Sequence, residues 1–268
     1  MRYADSRITV GSGVEPAVRS RGGGAWVRPI PGRTRPAGAR LFCFPYAGAG
    51  VTVFRDWGLG LPVDVEALAI QLPGREDRFL ERPVAELDEL LDMLTPEILP
   101  FLDRPFAFFG HSMGAIICWE LSRRLRHAYA IEPFRIFVSG CRALPLQESR
   151  TLREADLTDA ALVTELTRLG GTPRELLENP DFVSFVLPAF RTDLELFTGY
   201  GYRPGRPLTC PVSVFGGSED PRVDVARLKD WADLTTGPCD VQVFPGGHFF
   251  LTAERTGVLE SVNRALAE

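Results

Sequence analysis

Residues 106–120, FAFFGHSMGAIICWE, contain the signal that decides the fold. The apolar run that ends at Gly110 predicts a buried strand, and the sequence from Met113 onward is typical of a helix. Between them, GHSMG has the pattern G-x-S-x-G, in which a serine stands on a sharp strand-to-helix turn that a Cβ at either glycine would crowd. The stretch therefore predicts a strand–turn–helix unit that presents Ser112 as a nucleophile.

The rest of the chain alternates short apolar runs with stretches of helical spacing. The runs predicted as strands are 40–45, 66–72, 105–110, 134–140, 211–217 and 240–246. The helical patterns lie near 84–102, where Pro96 could split the helix, and near 113–128, 222–235 and 255–267. Strands that are apolar throughout and separated by helices indicate an α/β fold, with a mostly parallel sheet flanked by helices. Ligands of such sheets bind at the carboxyl ends of the strands.

One interval, between the strand that ends at Gly140 and the strand that begins at Pro211, is too long for an ordinary connection. It holds two apolar stripes at helical spacing, formed by Leu162, Leu166 and Leu169 and by Phe182, Phe185, Phe190, Leu194 and Phe197. We expect a helical lid inserted at 145–200 into a core formed by 25–144 and 201–268; the alternative is a set of ordinary core helices. The polar, glycine-rich residues 1–24 are expected to be disordered.

A nucleophilic serine needs a base, and the chain has three histidines. His127 would lie about 20 Å from the turn along the same helix. The neighbour of the serine in the turn, His111, should point elsewhere and have a structural role. His248 directly follows the last predicted strand, at the ligand-binding edge of the sheet, and is therefore the predicted base.

A carboxylate must orient the imidazole and stabilise its cationic form. In α/β-hydrolases the chain order is serine, acid, histidine. Asp220 follows the predicted strand 211–217 and is the predicted acid. Glu219 and Asp224 are the competitors, and Asp224 is better placed to cap the next helix.

An oxyanion formed on the substrate needs two N–H donors. The first is the N–H of Met113, at the start of the helix, and the second should come from the loop after the first core strand, FPYAGAG (44–50). Ala47 is the predicted second donor, with its neighbour Tyr46 as the alternative. The same loop could cradle a phosphate, but it lacks the lysine and the glycine pattern of known phosphate-binding loops.

Composition and charge argue against a nucleic-acid-binding, membrane-spanning or secreted protein. The net charge of −5 argues against nucleic acid as a partner, and no apolar run is long enough to span a bilayer. The N-terminal residues show no continuous apolar stretch of a secretory signal. The five cysteines are widely spaced and odd in number, which favours reduced thiols and a cytoplasmic protein. No metal or redox cofactor is expected for the predicted chemistry.

From about Trp26 to its end, the chain resembles the stand-alone type II thioesterases that accompany polyketide synthases and non-ribosomal peptide synthetases. The resemblance rests on LFCFPYAGAG, QLPGREDR, GHSMG, SGCRALP, GGTPRELLENP, SEDPRV and FPGGHFFL, in this order. It implies an α/β-hydrolase fold with a helical lid. It also implies hydrolysis of acyl groups from the phosphopantetheine arm of acyl or peptidyl carrier proteins. We expect the protein to be a monomer. The family's triad falls on Ser112, Asp220 and His248, and its oxyanion donors fall on Ala47 and Met113.

One departure from the family pattern is Cys141, where relatives usually carry a basic residue, and no base adjoins this cysteine in sequence. Carrier proteins are usually acidic, so a docking patch of arginines is one expectation and solvated arginines are the stronger alternative. The candidates are Arg75, Arg78, Arg142, Arg174 and Arg191. Three other functions share these motifs: a carboxylesterase or lipase, a cyclising release thioesterase, and a non-catalytic binding protein of the same fold.

Overall fold

The computed structural model describes residues 25–32, 38–146, 152 and 154–268. The disorder expected for residues 1–24 concerns a segment outside the described residues. Within the described part of the chain, no helix is both long and apolar enough to cross a membrane.

Seven strands form one sheet in the order β1-β3-β2-β4-β5-β6-β7, and every neighbouring pair except β1–β3 is parallel. The strands are β1 (Val27–Pro29), β2 (Ala39–Phe44), β3 (Val65–Ile70), β4 (Phe106–His111), β5 (Arg135–Ser139), β6 (Val212–Gly217) and β7 (Cys239–Phe244). The helices are α1 (Leu87–Ile98), α2 (Met113–Tyr129), α3 (Asp159–Leu169), α4 (Arg174–Leu177), α5 (Pro180–Gly199), α6 (Phe250–Ala253) and α7 (Arg255–Leu266). The predicted α/β fold with a mostly parallel sheet is confirmed.

The central strands are apolar throughout because helices cover both faces of the sheet. Successive side chains of a strand point to opposite faces, so Phe108 belongs to one buried cluster and Phe109 to another. The predicted strands lie within one or two residues of the observed ones. The sequence did not predict β1, which is only three residues long and pairs antiparallel with β3 at the edge.

Two predicted helices differ in detail from the structure. Residues Val225–Leu234 form a 3₁₀ helix, shorter than the predicted helix at 222–235. Pro96 does not split α1, whose apolar side is buried through Ile98; a 3₁₀ turn, Leu99–Phe101, then follows. Burial of this apolar face against the core outweighs the local penalty of an interior proline.

The helices α3, α4 and α5 lie between β5 and β6, and we call them the helical insert. They share a buried cluster of their own, separate from the two clusters on the sheet faces. Its buried members are Leu162, Leu166, Leu177, Leu187, Phe190 and Leu194. The insert is thus stabilised by its own apolar contacts and by packing over the carboxyl edge of the sheet.

Candidate active site

Ser112 stands on the turn between β4 and α2, with φ 54° and ψ −116°. A non-glycine residue rarely adopts a positive φ, and such strain persists only where the surroundings enforce it. A Cβ on Gly110 would lie 2.2 Å from the carbonyl oxygen of Gly114, and one on Gly114 would lie 2.2 Å from that of Phe44. The Ser112 N–H also donates to Ser139 on β5, at 2.8 Å. The two glycines and the neighbouring strands together hold the serine in its strained conformation.

His248 follows β7 and lies beside Ser112. Its Nε2 is 3.1 Å from Ser112 Oγ, and its Nδ1 is 2.8 Å from Asp220 Oδ2. All three side chains are buried: Ser112 and His248 are 5% and 3% exposed, and the Asp220 carboxylate is fully covered. The structure therefore joins the three residues predicted from sequence in one hydrogen-bonded chain.

Asp220 is placed by the turn after β6. Its Oδ1 accepts a hydrogen bond from the N–H of Arg222 at 2.8 Å, which leaves Oδ2 for the imidazole. The competitor Asp224 instead accepts from the N–H of Ala226 at 2.9 Å and caps the 3₁₀ helix, as the sequence predicted. The other competitor, Glu219, is exposed. Of these three carboxylates, only that of Asp220 contacts His248.

The other two histidines lie away from this chain of hydrogen bonds. His111 is fully buried, and its Nδ1 lies 2.9 Å from Ser139 Oγ. Its ring centre is 5.2 Å from that of His248. Burial, and then the nearby imidazole of His248, hold the pKa of His111 well below its usual value, so the ring is neutral. His127, near the end of α2, lines a different cleft.

The two predicted oxyanion donors belong to two different segments near Ser112. Met113 is the first residue of α2, and N–H groups of a first helical turn have no acceptor within the helix. Ala47 lies in the loop after β2 and lines the same cavity as Ser112 and His248. We call residues 46–50 the oxyanion loop. Tyr46 packs its ring against Phe249, with ring centres 4.7 Å apart, and burial raises the pKa of its phenol to about 12.

A cavity of about 260 Å³ opens above Ser112, between the oxyanion loop and the helical insert. Its lining is mostly apolar and includes the whole aromatic stripe predicted from sequence: Phe182, Phe185, Phe190, Leu194 and Phe197. Ser112 and His248 form its floor. An apolar group attached to a carbonyl at Ser112 would therefore bury its surface against the insert.

Two of the five arginines considered for a docking patch do not lie at the surface. Arg75 and Arg78 are 4% and 5% exposed and turn inward. Arg78 pairs with Glu81, and its guanidinium lies 4.3 Å from the centre of the Trp26 ring. Including these two arginines in an exposed patch was wrong, because their loop folds them into the protein. Of the others, Arg174 pairs with Glu178, Arg191 bonds Asp159, and Arg142 donates to the carbonyl of Arg222.

The buried partner of Arg75 was missed in the sequence. Asp193 lies on α5, three residues after Phe190 and four before Phe197, and its carboxylate is 2% exposed. A charged residue on an otherwise apolar helical face was the available signal. Cys141 is buried as well, and its carbonyl accepts a hydrogen bond from the Trp231 indole at 3.0 Å, so it belongs to the core.

A doubly covered parallel sheet, a strained serine between β4 and α2, and a buried Ser–His–Asp chain at the carboxyl edge define an α/β-hydrolase. The model of the thioesterase domain family matches residues 39–266. The chain belongs to this thioesterase family and is a hydrolase that acts on thioesters, as the resemblance in sequence implied.

Three relatives illustrate the likeness. The gramicidin S biosynthesis protein GrsT of Aneurinibacillus migulanus is 37% identical over 227 residues, which cover 85% of this chain and 88% of that protein. Thioesterase PikA5 of Streptomyces venezuelae is 35% identical over 232 residues, or 85% and 80% of the two chains. The structure of BorB, a type II thioesterase from the borrelidin biosynthetic cluster, matches with a TM-score of 0.81 at 35% identity and covers 90% of this chain and 97% of that one.

Proposed function

We propose that this thioesterase hydrolyses acyl groups from the phosphopantetheine arm of acyl or peptidyl carrier proteins, by way of an acyl intermediate on Ser112. The observation that carries the proposal is the hydrogen bond between Ser112 Oγ and His248 Nε2 at the floor of an apolar cavity. The names of the relatives, which connect them with gramicidin S and borrelidin biosynthesis, support a role in clearing such synthases of unwanted acyl groups.

In the first half-reaction, His248 Nε2 removes the Ser112 proton as Oγ attacks the thioester carbonyl. Asp220 holds the imidazole in the tautomer that accepts this proton and stabilises the imidazolium that forms. The N–H groups of Met113 and Ala47 receive the oxyanion. The tetrahedral intermediate then expels the pantetheine sulfur, which takes the proton from His248, so the imidazole is neutral again for the second half-reaction. Since a thiol has a pKa of about 8.5, it is a good leaving group and demands little of His248 as an acid.

In the second half-reaction, His248 removes a proton from water as the water oxygen attacks the acyl-Ser112 carbonyl. Collapse of the second tetrahedral intermediate returns the proton to Ser112 Oγ and releases the carboxylic acid. We propose that the helical insert acts as the lid of this site, because its aromatic stripe lines the cavity that also contains the serine. Excluding water there would strengthen the contacts to the oxyanion.

We also place the reaction in the cytoplasm, where carrier-protein synthases would meet the enzyme. The support is that all five cysteines are free, as is usual in a reducing compartment.

The decisive test compares wild type with Ser112→Ala on an acylated carrier protein. We expect Ser112→Ala to lose turnover at an unchanged melting temperature, and intact-protein mass spectrometry to find the acyl group on wild-type Ser112 during turnover. Ser184→Ala is the matched control, because Ser184 lies exposed on α5 and bonds only its own helix. Turnover by Ser112→Ala would contradict the mechanism. Much faster hydrolysis of simple oxygen esters than of acyl-pantetheine would favour a carboxylesterase.

A further inference from the structure

A buried ion pair joins the helical insert to the core directly beside the proposed oxyanion site. Arg75 lies in the loop after β3, and Asp193 lies on α5. The pair is bidentate, with Nη1 to Oδ2 at 2.5 Å and Nη2 to Oδ1 at 2.9 Å. Both side chains are almost fully covered, at 4% and 2% exposure. The two residues are 118 positions apart in the chain, so only the closed tertiary structure brings them together.

Both members of the pair also bond the backbone of the oxyanion loop. Asp193 Oδ2 accepts from the N–H of Gly48 at 2.7 Å, and Arg75 Nη1 donates to the carbonyl of Ala49 at 3.3 Å. The ion pair therefore holds the loop at two adjacent residues, at the N–H of Gly48 and at the carbonyl of Ala49. Gln71 supports the far side, because its Oε1 accepts from the N–H of Val51 at 2.9 Å and its Nε2 donates to the carbonyl of Arg75 at 3.0 Å.

The peptide units on either side of Ala47 are both held by hydrogen bonds of the loop. The peptide unit between Ala47 and Gly48 is planar, so a hydrogen bond at the Gly48 N–H fixes the orientation of that whole unit. Gly48 has φ 77°, and a Cβ there would lie 3.2 Å from Phe190 of the insert, so the loop passes very close to α5. The N–H of Ala47 belongs to the preceding peptide unit, whose carbonyl, that of Tyr46, accepts from the N–H of Ala49 at 3.0 Å, and Ala47 lines the cavity.

Packing alone does not explain a charge at this position. Asp193 lies among the apolar residues of α5, and well-packed apolar side chains often replace a buried ion pair without loss of stability. The hydrogen bonds of the Asp193 carboxylate go to Gly48 and Arg75, at the oxyanion site.

We propose that Arg75 and Asp193 are positioning residues that hold the oxyanion loop in place and make its geometry depend on the position of α5 relative to the core. The inference rests on the proposed function, in which Ala47 donates to the oxyanion. A loss of the pair should lower kcat and leave KM nearly unchanged, because the loop donor acts on charge that develops only in the transition state. The pair would also tie this part of the insert to the core, so a lid movement that lifts α5 would disassemble the oxyanion site.

The test uses Asp193→Asn and the double variant Arg75→Met with Asp193→Leu. Removing one oxyanion donor costs about 10²–10³ in rate, so displacing one should lower kcat about 10- to 100-fold, with KM for an acyl-pantetheine thioester within about threefold. Affinity for an alkyl boronic acid, whose adduct with Ser112 carries the tetrahedral oxyanion, should fall by a similar factor. Asp159→Asn is the matched control, because this carboxylate pairs with Arg191 at the exposed side of the insert.

The double variant separates positioning from folding. It removes both charges, so no uncompensated ion is left buried, and we expect it to fold and still to show the low kcat, with a lower melting temperature because the Gly48 N–H and the Ala49 carbonyl lose their partners. A folded double variant with wild-type kcat and boronic acid affinity would overturn the inference. If that result accompanied an inactive Ser112→Ala, the proposed function would stand and only the positioning role would fail. Turnover by Ser112→Ala would instead remove the mechanism on which the inference rests.

Discussion

Replacing Asp220 by Asn would test the orientation of the proposed base without changing the shape of the site. In the wild type, Asp220 Oδ1 accepts from the Arg222 N–H and Oδ2 faces His248 Nδ1, both at 2.8 Å. An Asn amide oxygen would stay opposite the Arg222 N–H, because the reverse orientation sets two donors against each other in a fully covered position. The Asn NH₂ group would then face Nδ1.

That arrangement forces the wrong tautomer on the imidazole. With a donor opposite it, Nδ1 must accept, so the proton of the neutral ring moves to Nε2, which lies 3.1 Å from Ser112 Oγ. The nitrogen that should take the serine proton would already carry one. In serine proteases this change lowers kcat about 10⁴-fold. Because a thiol leaves more readily than an amine, we expect a loss of about 10³–10⁴, or about 4–5.5 kcal/mol in activation free energy.

The assay is single-turnover acylation of Ser112 by an acyl-pantetheine thioester, followed by quenching and intact-protein mass spectrometry. Asp224→Asn is the matched control: it changes a carboxylate of the same loop to an equally good cap, so rate and stability should stay at wild-type values. An Asp220→Asn enzyme that acylates within tenfold of wild type, while His248→Ala is inactive, would refute the assignment of Asp220 as the orienting acid.

Two further predictions concern the turn and its buried histidine. Gly114→Ala should lower the free energy of unfolding, measured in urea, by about 3 kcal/mol, because the new Cβ would lie 2.2 Å from the backbone oxygen of Phe44. Gly199→Ala is the control: its Cβ would meet nothing within 4 Å, so its free energy of unfolding should lie within about 1 kcal/mol of the wild-type value. Burial lowers the pKa of His111 in the folded state, so below pH 6.5 the unfolded chain binds more protons than the folded protein. The free energy of unfolding should therefore decrease as the pH is lowered below 6.5, by up to about 1.4 kcal/mol per pH unit. The pH dependence of the free energy of unfolding should be weaker in His111→Asn and unchanged in His127→Asn. Equal pH dependence in wild type and both variants would show that His111 is not its source.

Much of the fold was predictable because its central strands are covered on both faces. A strand such as β4, which is buried along its whole length, appears in the sequence as an uninterrupted apolar run. The strand β1 was not predictable, since three residues show no period and its pairing depends on β3, far along the chain. The 3₁₀ form of Val225–Leu234 was missed because its residues satisfy an α-helical pattern equally well.

The proximity of the proposed catalytic residues was predictable because each follows a strand of one parallel sheet. The carboxyl ends of such strands meet at one edge, so Ser112, Asp220 and His248 could be selected by position alone. The structure brings them to hydrogen-bonding distance. Their catalytic roles remain predictions for the variants above to test.

The sequence by itself determined the succession of strands β2 to β7 along the chain, the strained serine turn and the candidate triad, because these depend on residues that are neighbours in the chain or occupy equivalent ends of strands. Only the tertiary structure decided where the charged side chains of the loops go. Arg75 and Arg78 were expected among exposed residues, yet both are buried, and Arg75 is paired with Asp193. A charge is buried only where a partner from a distant segment meets it, and local sequence carries no record of that partner.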